Sequence, residues 1–292
     1  MNNSTITDDE VREFYLNCSS QTIIESLLSL HESLRLYSQN HEILLNRMFK
    51  KLDETNADSN ISHIFMPVVS KDFSGIKILV NNNNKNFQGI VGESLKLVEI
   101  NILYHNNMMS LDRLKSLKNL FGSNIKIELN QYQINDISSE GNGAVSNSDI
   151  IFGCLPTLEP NLFLRQLLNS KASVEQKHTY ISLIGSYKPV MHECDKELID
   201  KFKPDNESAC ILVDSREHTL LESGELIDSN IAPHNLIEIG ELDTLKDTVL
   251  NLNEKGCKRT ITLCKIVGLA VMDVALAKEF LSLRTKKTEN KE

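Results

Sequence analysis

The spacing of apolar positions changes character along the chain and divides it into segments. Thr7-Asp8-Asp9-Glu10 has the form of a capping box, in which a hydroxyl and a carboxylate satisfy each other's orphan amides. Two helical patterns follow, and in the second Ile24, Leu27, Leu28 and Leu34 share one face at helical spacing. From Ser62 to Val80 the pattern turns to strand, with HIFMPVV and then GIKILV. The run Asn81-Asn82-Asn83-Asn84-Lys85-Asn86 is a polar loop, since Asn tolerates the left-handed backbone that loops need.

From residue 96 the rhythm is strand, helix, strand: LKLVEINILY, SLDRLKSLKNLF, NIKIELNQY. Three apolar runs ending in turn residues come next, SDIIFGCLP, HTYISLIGSY and ACILVDS, with the helical stretch HECDKELIDKF between the last two. Continuous apolar strands alternating with helices predict a parallel sheet covered on both faces. Such sheets bind ligands at the carboxyl ends of their strands, so the residues closing the strands are the ones to inspect. A final helix, from roughly Ile266 to Leu283, is apolar nearly all round in its first half and has to be buried.

Composition narrows the function classes. With 292 residues, 40% hydrophobic and 24% charged, the chain is neither a coiled coil nor a disordered tail. A net charge of −9, with no dense run of Lys and Arg, excludes tracking of a phosphate backbone, so no nucleic-acid partner is expected. The six cysteines (Cys18, Cys154, Cys194, Cys210, Cys257, Cys264) form no CxxC pair and read as free thiols of a reducing cytosol. The start MNNSTITDDEVREF has neither a basic nor an apolar leader region. Lys265 and Asp273 interrupt the most apolar late segment, so no membrane span is expected and the location is read as cytoplasmic. His192-Glu193-Cys194-Asp195 fits no metal-ligand spacing; Asp195 reads as a helix cap and no metal is expected.

Several separate segments resemble, in order, the ornithine cyclodeaminase/mu-crystallin family: TDDEVREF, HIFMP with GIKILVN, SDIIFGCLPTLEP, ISLIGSYKPVMHECDKELI, ILVDSREHTLLESGEL and ITLCKIVGLAVMDVALAK. The resemblance implies an α/β fold, a Rossmann-type doubly wound sheet plus a smaller α+β lobe built from both chain ends. It also implies NADP or NAD as cofactor, a small imino or amino acid or similar carboxylate as ligand, and a homodimer. The divisions expected are 1–93 for a substrate and dimerisation lobe, 94–259 for the NAD(P)-binding domain, and 260–292 for a helix returning to the first lobe.

One part of the family pattern is missing. Between Gly92 and Leu95 the resemblance calls for an A-x-R-T-A-A type helix and then a strand ending in a G-x-G-x-Q-A loop, and neither is in the sequence. That loop lets backbone amides at a helix N-terminus approach a pyrophosphate. The one G-x-G of the chain, Gly141-Asn142-Gly143, precedes a strand and reads as a linker loop. The expected domain is therefore a truncated Rossmann-type sheet whose central strand is lost, leaving apolar edges on both sides of the gap.

By resemblance, Lys77 is the lysine near the reacting carbon, and Arg47 the arginine that clamps the substrate carboxylate; Glu222 matches a glutamate at the ligand's lip. His105, Asn106 and Asn107 close the strand that meets the adenosine ribose and carry neither the acid that suits NAD nor the Arg that suits NADP. Cys154, Leu155, Pro156, Ile184, Gly185 and Ser186 close two further strands and match cofactor-lining positions. Without the family's context, Lys77 and Arg47 read as solvated surface cations, Glu222 as a helix-end charge, and the strand-end residues as packed turns. Tyr187 stands where ornithine cyclodeaminases carry a catalytic Asp, which argues against ring-closing deamination. Lys265-Ile266-Val267-Gly268 matches a K-S-x-G turn near the nicotinamide, with Ile266 removing its hydroxyl. If active, the protein is expected to be an NAD(P)H-dependent imine reductase for ketimines or pyrroline carboxylates. The alternative is a non-catalytic pseudoenzyme or ligand-binding protein that has lost its dinucleotide loop.

Overall fold

A computed structural model describes residues 7–39, 43–44, 48–51, 62–69, 74–81, 97–104, 108–112, 114–115, 126–133, 139–168, 177–203, 209–242, 248–254 and 257–289. Two compact units emerge. Unit 1 comprises Met1–Asn86, Glu238–Asp243 and Gly268–Glu292; unit 2 comprises Phe87–Ile237 and Thr244–Val267.

Unit 1 opens with helix α1 (Asp8–Asn17), whose capping box is present: the Glu10 amide donates to Thr7 Oγ1 and the Thr7 amide to Glu10 Oε2. Helix α2 (Ser20–Ser38) follows, capped by Ser19. Strands β1 (Ile43–Leu44), β2 (Met48–Lys51), β3 (Ser62–Val69) and β4 (Ser74–Asn81) form an antiparallel sheet in which β3 pairs with all three others. The apolar stripe expected on α2 is divided: Leu34 is buried, while Ile24, Leu27 and Leu28 are exposed. Leu34 packs with Leu269, Ala270 and Val271 at the start of the last helix, and the Ser33 hydroxyl donates to the Val271 carbonyl at 3.4 Å.

Among the described residues, unit 2 holds two sheets. The parallel pair β5 (Leu97–Tyr104) and β6 (Lys126–Gln133) is one. The other has six strands: β7 (Ile150–Gly153), β8 (Lys177–Leu183), β9 (Ile211–Val213), β10 (Leu236–Glu238), β11 (Val249–Glu254) and β12 (Cys257–Lys265). Its order is β10-β9-β12-β8-β7, with β11 added antiparallel to β12; β7, β8, β12 and β9 run parallel. Continuous apolar runs place Ile181, Leu183, Ile211, Val213, Ile261 and Leu263 in one core. Helices α3 (Ser139–Ser146), α4 (Leu164–Leu167), α5 (Lys196–Asp200), α6 (Arg216–Glu222) and α7 (Gly224–Asp228) connect the strands. The α/β class and the parallel sheet are as expected.

Three local expectations are corrected. Gly141-Asn142-Gly143 is no loop: it lies within helix α3, where the Asn147 amide bonds to the Gly143 carbonyl. The last helix, α8 (Ala270–Glu289), starts later than Ile266, because Lys265 still belongs to β12 and Gly268 takes φ +83°, a left-handed conformation that ends any helix begun before it. Strand β12 also runs across residue 260 and belongs with the sheet of unit 2.

Candidate functional site

The carboxyl ends of β7, β8, β9 and β12 lie along one edge of the unit 2 sheet. β7 ends in Cys154-Leu155-Pro156 and β8 in Ile184-Gly185-Ser186, the two turns singled out from the sequence, and they are neighbours. The Ile184 amide donates to the Gly153 carbonyl at 2.9 Å. A Cβ on Gly185 would stand 2.5 Å from the Leu155 carbonyl oxygen and 2.6 Å from its nitrogen, so only glycine lets these turns close on each other. The ends of β12 and β9 are stitched alongside: the Ile266 amide bonds to the Leu183 carbonyl at 3.0 Å and the Val267 amide to Asp214 Oδ1 at 3.2 Å.

Beneath this edge lies a buried cluster that sequence reasoning did not assemble. Lys265, 1% exposed, donates from Nζ to the Ser186 carbonyl at 3.0 Å, to Ser186 Oγ at 2.5 Å and to Glu193 Oε2 at 3.0 Å, with Glu225 Oε1 at 3.4 Å. Ser186 Oγ in turn donates to the Glu225 carboxylate at 2.9 and 3.0 Å, and the Ser186 amide to Glu193 Oε2 at 3.0 Å. One ammonium thus faces two buried carboxylates. Burial pushes the Glu193 carboxyl above its ordinary range, and the Lys265 charge offsets this only in part. Glu193 Oε1 has no hydrogen-bond partner and points toward Gly153 and Gly185.

This wiring revises two readings. Lys265 was matched to a turn near the nicotinamide; its ammonium is instead turned inward and bonded by the cluster. Ser186, matched to a cofactor-lining position, is fully buried, its amide and hydroxyl both given to Glu193, Glu225 and Lys265. The Cys154 thiol, half-buried, is pushed up by burial and then by the charge of Glu193, so a neutral thiol rather than a thiolate closes β7.

Of the other sequence candidates, Glu222 ends α6, half-buried, next to the buried Ser223. Lys77 lies in β4 opposite Met66. Arg47, His105, Asn106 and Asn107 lie outside the described residues. Asp195 caps α5 as expected, its carboxylate accepting from the Leu198 amide at 3.1 Å and also from the Leu164 amide. Among the described residues no group of His, Cys, Asp and Glu is arranged to hold a metal ion, and no helix is long and apolar enough to cross a membrane.

The described residues meet a dinucleotide only in part. Leu155 and Pro156 are half-buried and Ile184 is exposed, so apolar side chains stand at the ends of both β7 and β8. No glycine-rich turn leading from a strand into a helix N-terminus is found among them to receive a pyrophosphate.

No protein-family model matches the chain. The chain is 78% identical to the uncharacterized protein YGL159W of Saccharomyces cerevisiae (strain ATCC 204508 / S288c) over 370 residues, covering 100% of each chain. An alignment of 370 positions against 292 residues leaves the difference, 78 positions, that no residue of this chain fills. Among solved structures, an archaeal alanine dehydrogenase dimer with bound NAD is similar at 16% identity and TM-score 0.55, over 97% of this chain and 96% of that one. The Delta(1)-pyrroline-2-carboxylate reductase of Thermococcus litoralis, in complex with NADH and L-proline, reaches 0.56 at 17% identity over 87% and 91%. The iminosuccinate reductase of Paracoccus denitrificans, in complex with NAD+, reaches 0.58 at 10% identity over 96% and 96%. At these identities the likeness is one of fold.

Proposed function

Since the chain belongs to the family of protein YGL159W of Saccharomyces cerevisiae, and since four strands of its six-stranded sheet run parallel, we propose that it is an NAD(P)-binding oxidoreductase-like protein of the ornithine cyclodeaminase/mu-crystallin family, related to imine reductases for ketimines or pyrroline carboxylates. The observation that carries this reading is the pair of interlocked turns after β7 and β8, at the carboxyl edge where parallel sheets take their ligands. It is supported by the solved reductases of the same fold, whose complexes hold NAD+, NADH and L-proline.

In this reading the Lys77 ammonium polarises the imine nitrogen and the Arg47 guanidinium clamps the ligand carboxylate, with Glu222 at the lip. His105, Asn106 and Asn107 meet the ribose of NADP or NAD, and Cys154, Leu155, Pro156, Ile184 and Gly185 line the ring. Two chains pair into a cytoplasmic homodimer. Saturable micromolar quenching of NADPH or NADH fluorescence by the folded 292-residue chain is the expected result, followed by turnover of a cyclic imine. Lys77→Ala then lowers kcat/KM by about 100-fold or more. A Lys77→Ala enzyme of unchanged kcat/KM removes Lys77 from the chemistry.

One observation favours a second reading, a non-catalytic ligand-binding protein. The polar groups of Ser186, at the strand end nearest the expected nicotinamide, are all engaged within the protein. A chain that is folded by circular dichroism and binds neither dinucleotide decides for that reading.

A further inference from the structure

His192 stands between β8 and α5, and both nitrogens of its ring are engaged. Nε2 lies 2.8 Å from Asp228 Oδ2 at the end of α7, and Nδ1 lies 3.2 Å from the Leu158 carbonyl oxygen in the segment after β7. The backbones of the two segments are laced as well. The His192 amide donates to the Thr157 carbonyl at 2.9 Å, the Thr157 hydroxyl to the His192 carbonyl at 3.1 Å, and the Leu162 amide to the Glu193 carbonyl at 2.9 Å. Residues 154–162 thus form a strap that leaves the carboxyl edge at Cys154-Leu155-Pro156 and runs along residues 192–194. The His192 ring carries this strap across to α7.

The two partners of the ring are of one kind: a carboxylate and a backbone carbonyl both accept, and neither donates. A neutral imidazole has one N–H, so it serves one of them and turns a lone pair on the other. Only the protonated ring, with an N–H on each nitrogen, serves both. His178 and His218 differ, since Nδ1 of each faces a hydroxyl, of Thr260 and of Ser215, which suits either form of the ring. The side chain of His192 is 20% exposed, so its proton passes to and from water.

The charged groups on the elements around the ring have placements of their own. Glu193 and Glu225 turn inward to Lys265, and Asp195 accepts from the Leu164 and Leu198 amides. Lys188 lies over the Tyr187 ring, Glu159 on the strap is exposed, and Glu222 ends α6. Gly224 passes so close that a Cβ there would stand 3.1 Å from His192 Cε1. Among the described residues, Asp228 is the ionisable group bonded to the ring.

We propose that His192 is a pH-operated clamp on the carboxyl edge. Protonated, it ties the strap at Leu158 to Asp228; on losing its proton to water it keeps Asp228 and releases Leu158. The charged acceptor holds the remaining N–H in preference to a neutral carbonyl, so the strap side opens as pH rises through the range where imidazole titrates, about pH 5 to 8. The strap begins with the three residues that the proposed function sets against the cofactor ring. The clamp's meaning as regulation of that site rests on that reading, whereas its chemistry does not.

The test follows amide exchange in the folded 292-residue chain at about pH 5.5 and pH 8, corrected for the intrinsic pH dependence of exchange, with the ring nitrogens of His192 observed by NMR. Both nitrogens are expected to carry a proton at the lower pH, and protection of the Thr157 and His192 amides to fall by about threefold or more at the higher. His192→Phe gives the lower protection at both values. Asp228→Asn is the deciding variant. Its amide donates to Nε2 of a neutral ring, leaving Nδ1–H on Leu158, and its oxygen accepts from a protonated one, so protection stays high and level. Equal protection at both pH values in the wild type overturns the proposal. So does an Asp228→Asn chain that loses protection as the wild type does, or a ring with a single N–H at the lower pH. A chain that fails to quench NADH or NADPH fluorescence removes the ligand reading of the edge and leaves these exchange rates, and the clamp, as they are.

Discussion

Lys265 ties together the residues beneath the carboxyl edge of the parallel strands. It neutralises one of two buried carboxylates and holds the Ser186 turn through a carbonyl and a hydroxyl. Lys265→Met leaves Glu193 and Glu225 buried without a counter-charge, and a loss of about 3–5 kcal/mol in urea unfolding is expected. Glu193 predicts a pH effect. Its carboxyl is raised by burial above the ordinary 4.5, so the folded state keeps this proton to higher pH than the unfolded chain does. Stability from this group is therefore lost as pH rises from the unfolded value through the raised folded one, and not as pH falls. Glu193→Gln keeps an acceptor for the Ser186 amide and removes that slope. Its urea midpoint should match the wild type below the ordinary carboxylate range and gain on it above. Gly185→Ala, forced against Leu155, should cost about 1–3 kcal/mol in the same assay. Of this cluster and the turn above it the sequence showed Gly185 and Ser186, through the GSYKP segment, and Lys265, through the KIVG segment, but not that they bond to one another. Glu193 and Glu225 lie 7 and 39 residues from Ser186. Only the sheet order brings them together, and no local pattern marks a carboxylate that will be buried.

At the scale of elements, the strands of unit 2 were legible because a parallel sheet covered on both faces writes itself as continuous apolar runs. Helix α3 was not. SSEGNG carries two glycines and reads as a turn, yet tertiary packing outweighs its poor helix propensity, with Ala144 and Val145 buried on its inner face. A Cβ on Gly143 would meet only Asn147 Nδ2, at an ordinary 3.8 Å. Gly143→Ala should therefore raise stability by about 0.5–1 kcal/mol, seen as a higher Tm, whereas a loop glycine would give no such gain. In α1 the capping box was read correctly from four residues because both its hydrogen bonds are local. Thr7→Ala should cost about 1 kcal/mol, detected as faster amide exchange in the first turn of α1. The spacing of Ile24, Leu27 and Leu28 gave a helix face correctly and its burial wrongly, since periodicity reports which residues share a side and not what covers it.

The whole molecule interleaves its chain. Both ends of the sequence meet in unit 1: Phe14 and Phe280 stack edge to face with centroids 5.0 Å apart, and Arg284 pairs with Glu10 at 3.1 Å. Phe280 is 4% exposed, so Phe280→Ala should cost about 3–5 kcal/mol. If the two units unfold separately, calorimetry should show the lower Tm in one transition only. That both ends build one lobe was legible only through the family resemblance, because contacts between residues 14 and 280 leave no trace in local periodicity.

The same interleaving sets an order in time. Helix α2 is complete at Ser38, but Leu34 packs with Leu269, Ala270 and Val271, with Ile239 beside them, and Ser33 bonds to Val271. At about 5–20 residues per second of synthesis, some 230 residues take roughly 10–50 s to make. Until then the nascent first lobe carries an incompletely covered Leu34 beside its exposed Ile24, Leu27 and Leu28. A helix made some 230 residues before its packing partners is thus among the last elements to be finished, and it is one a holding chaperone would have to guard.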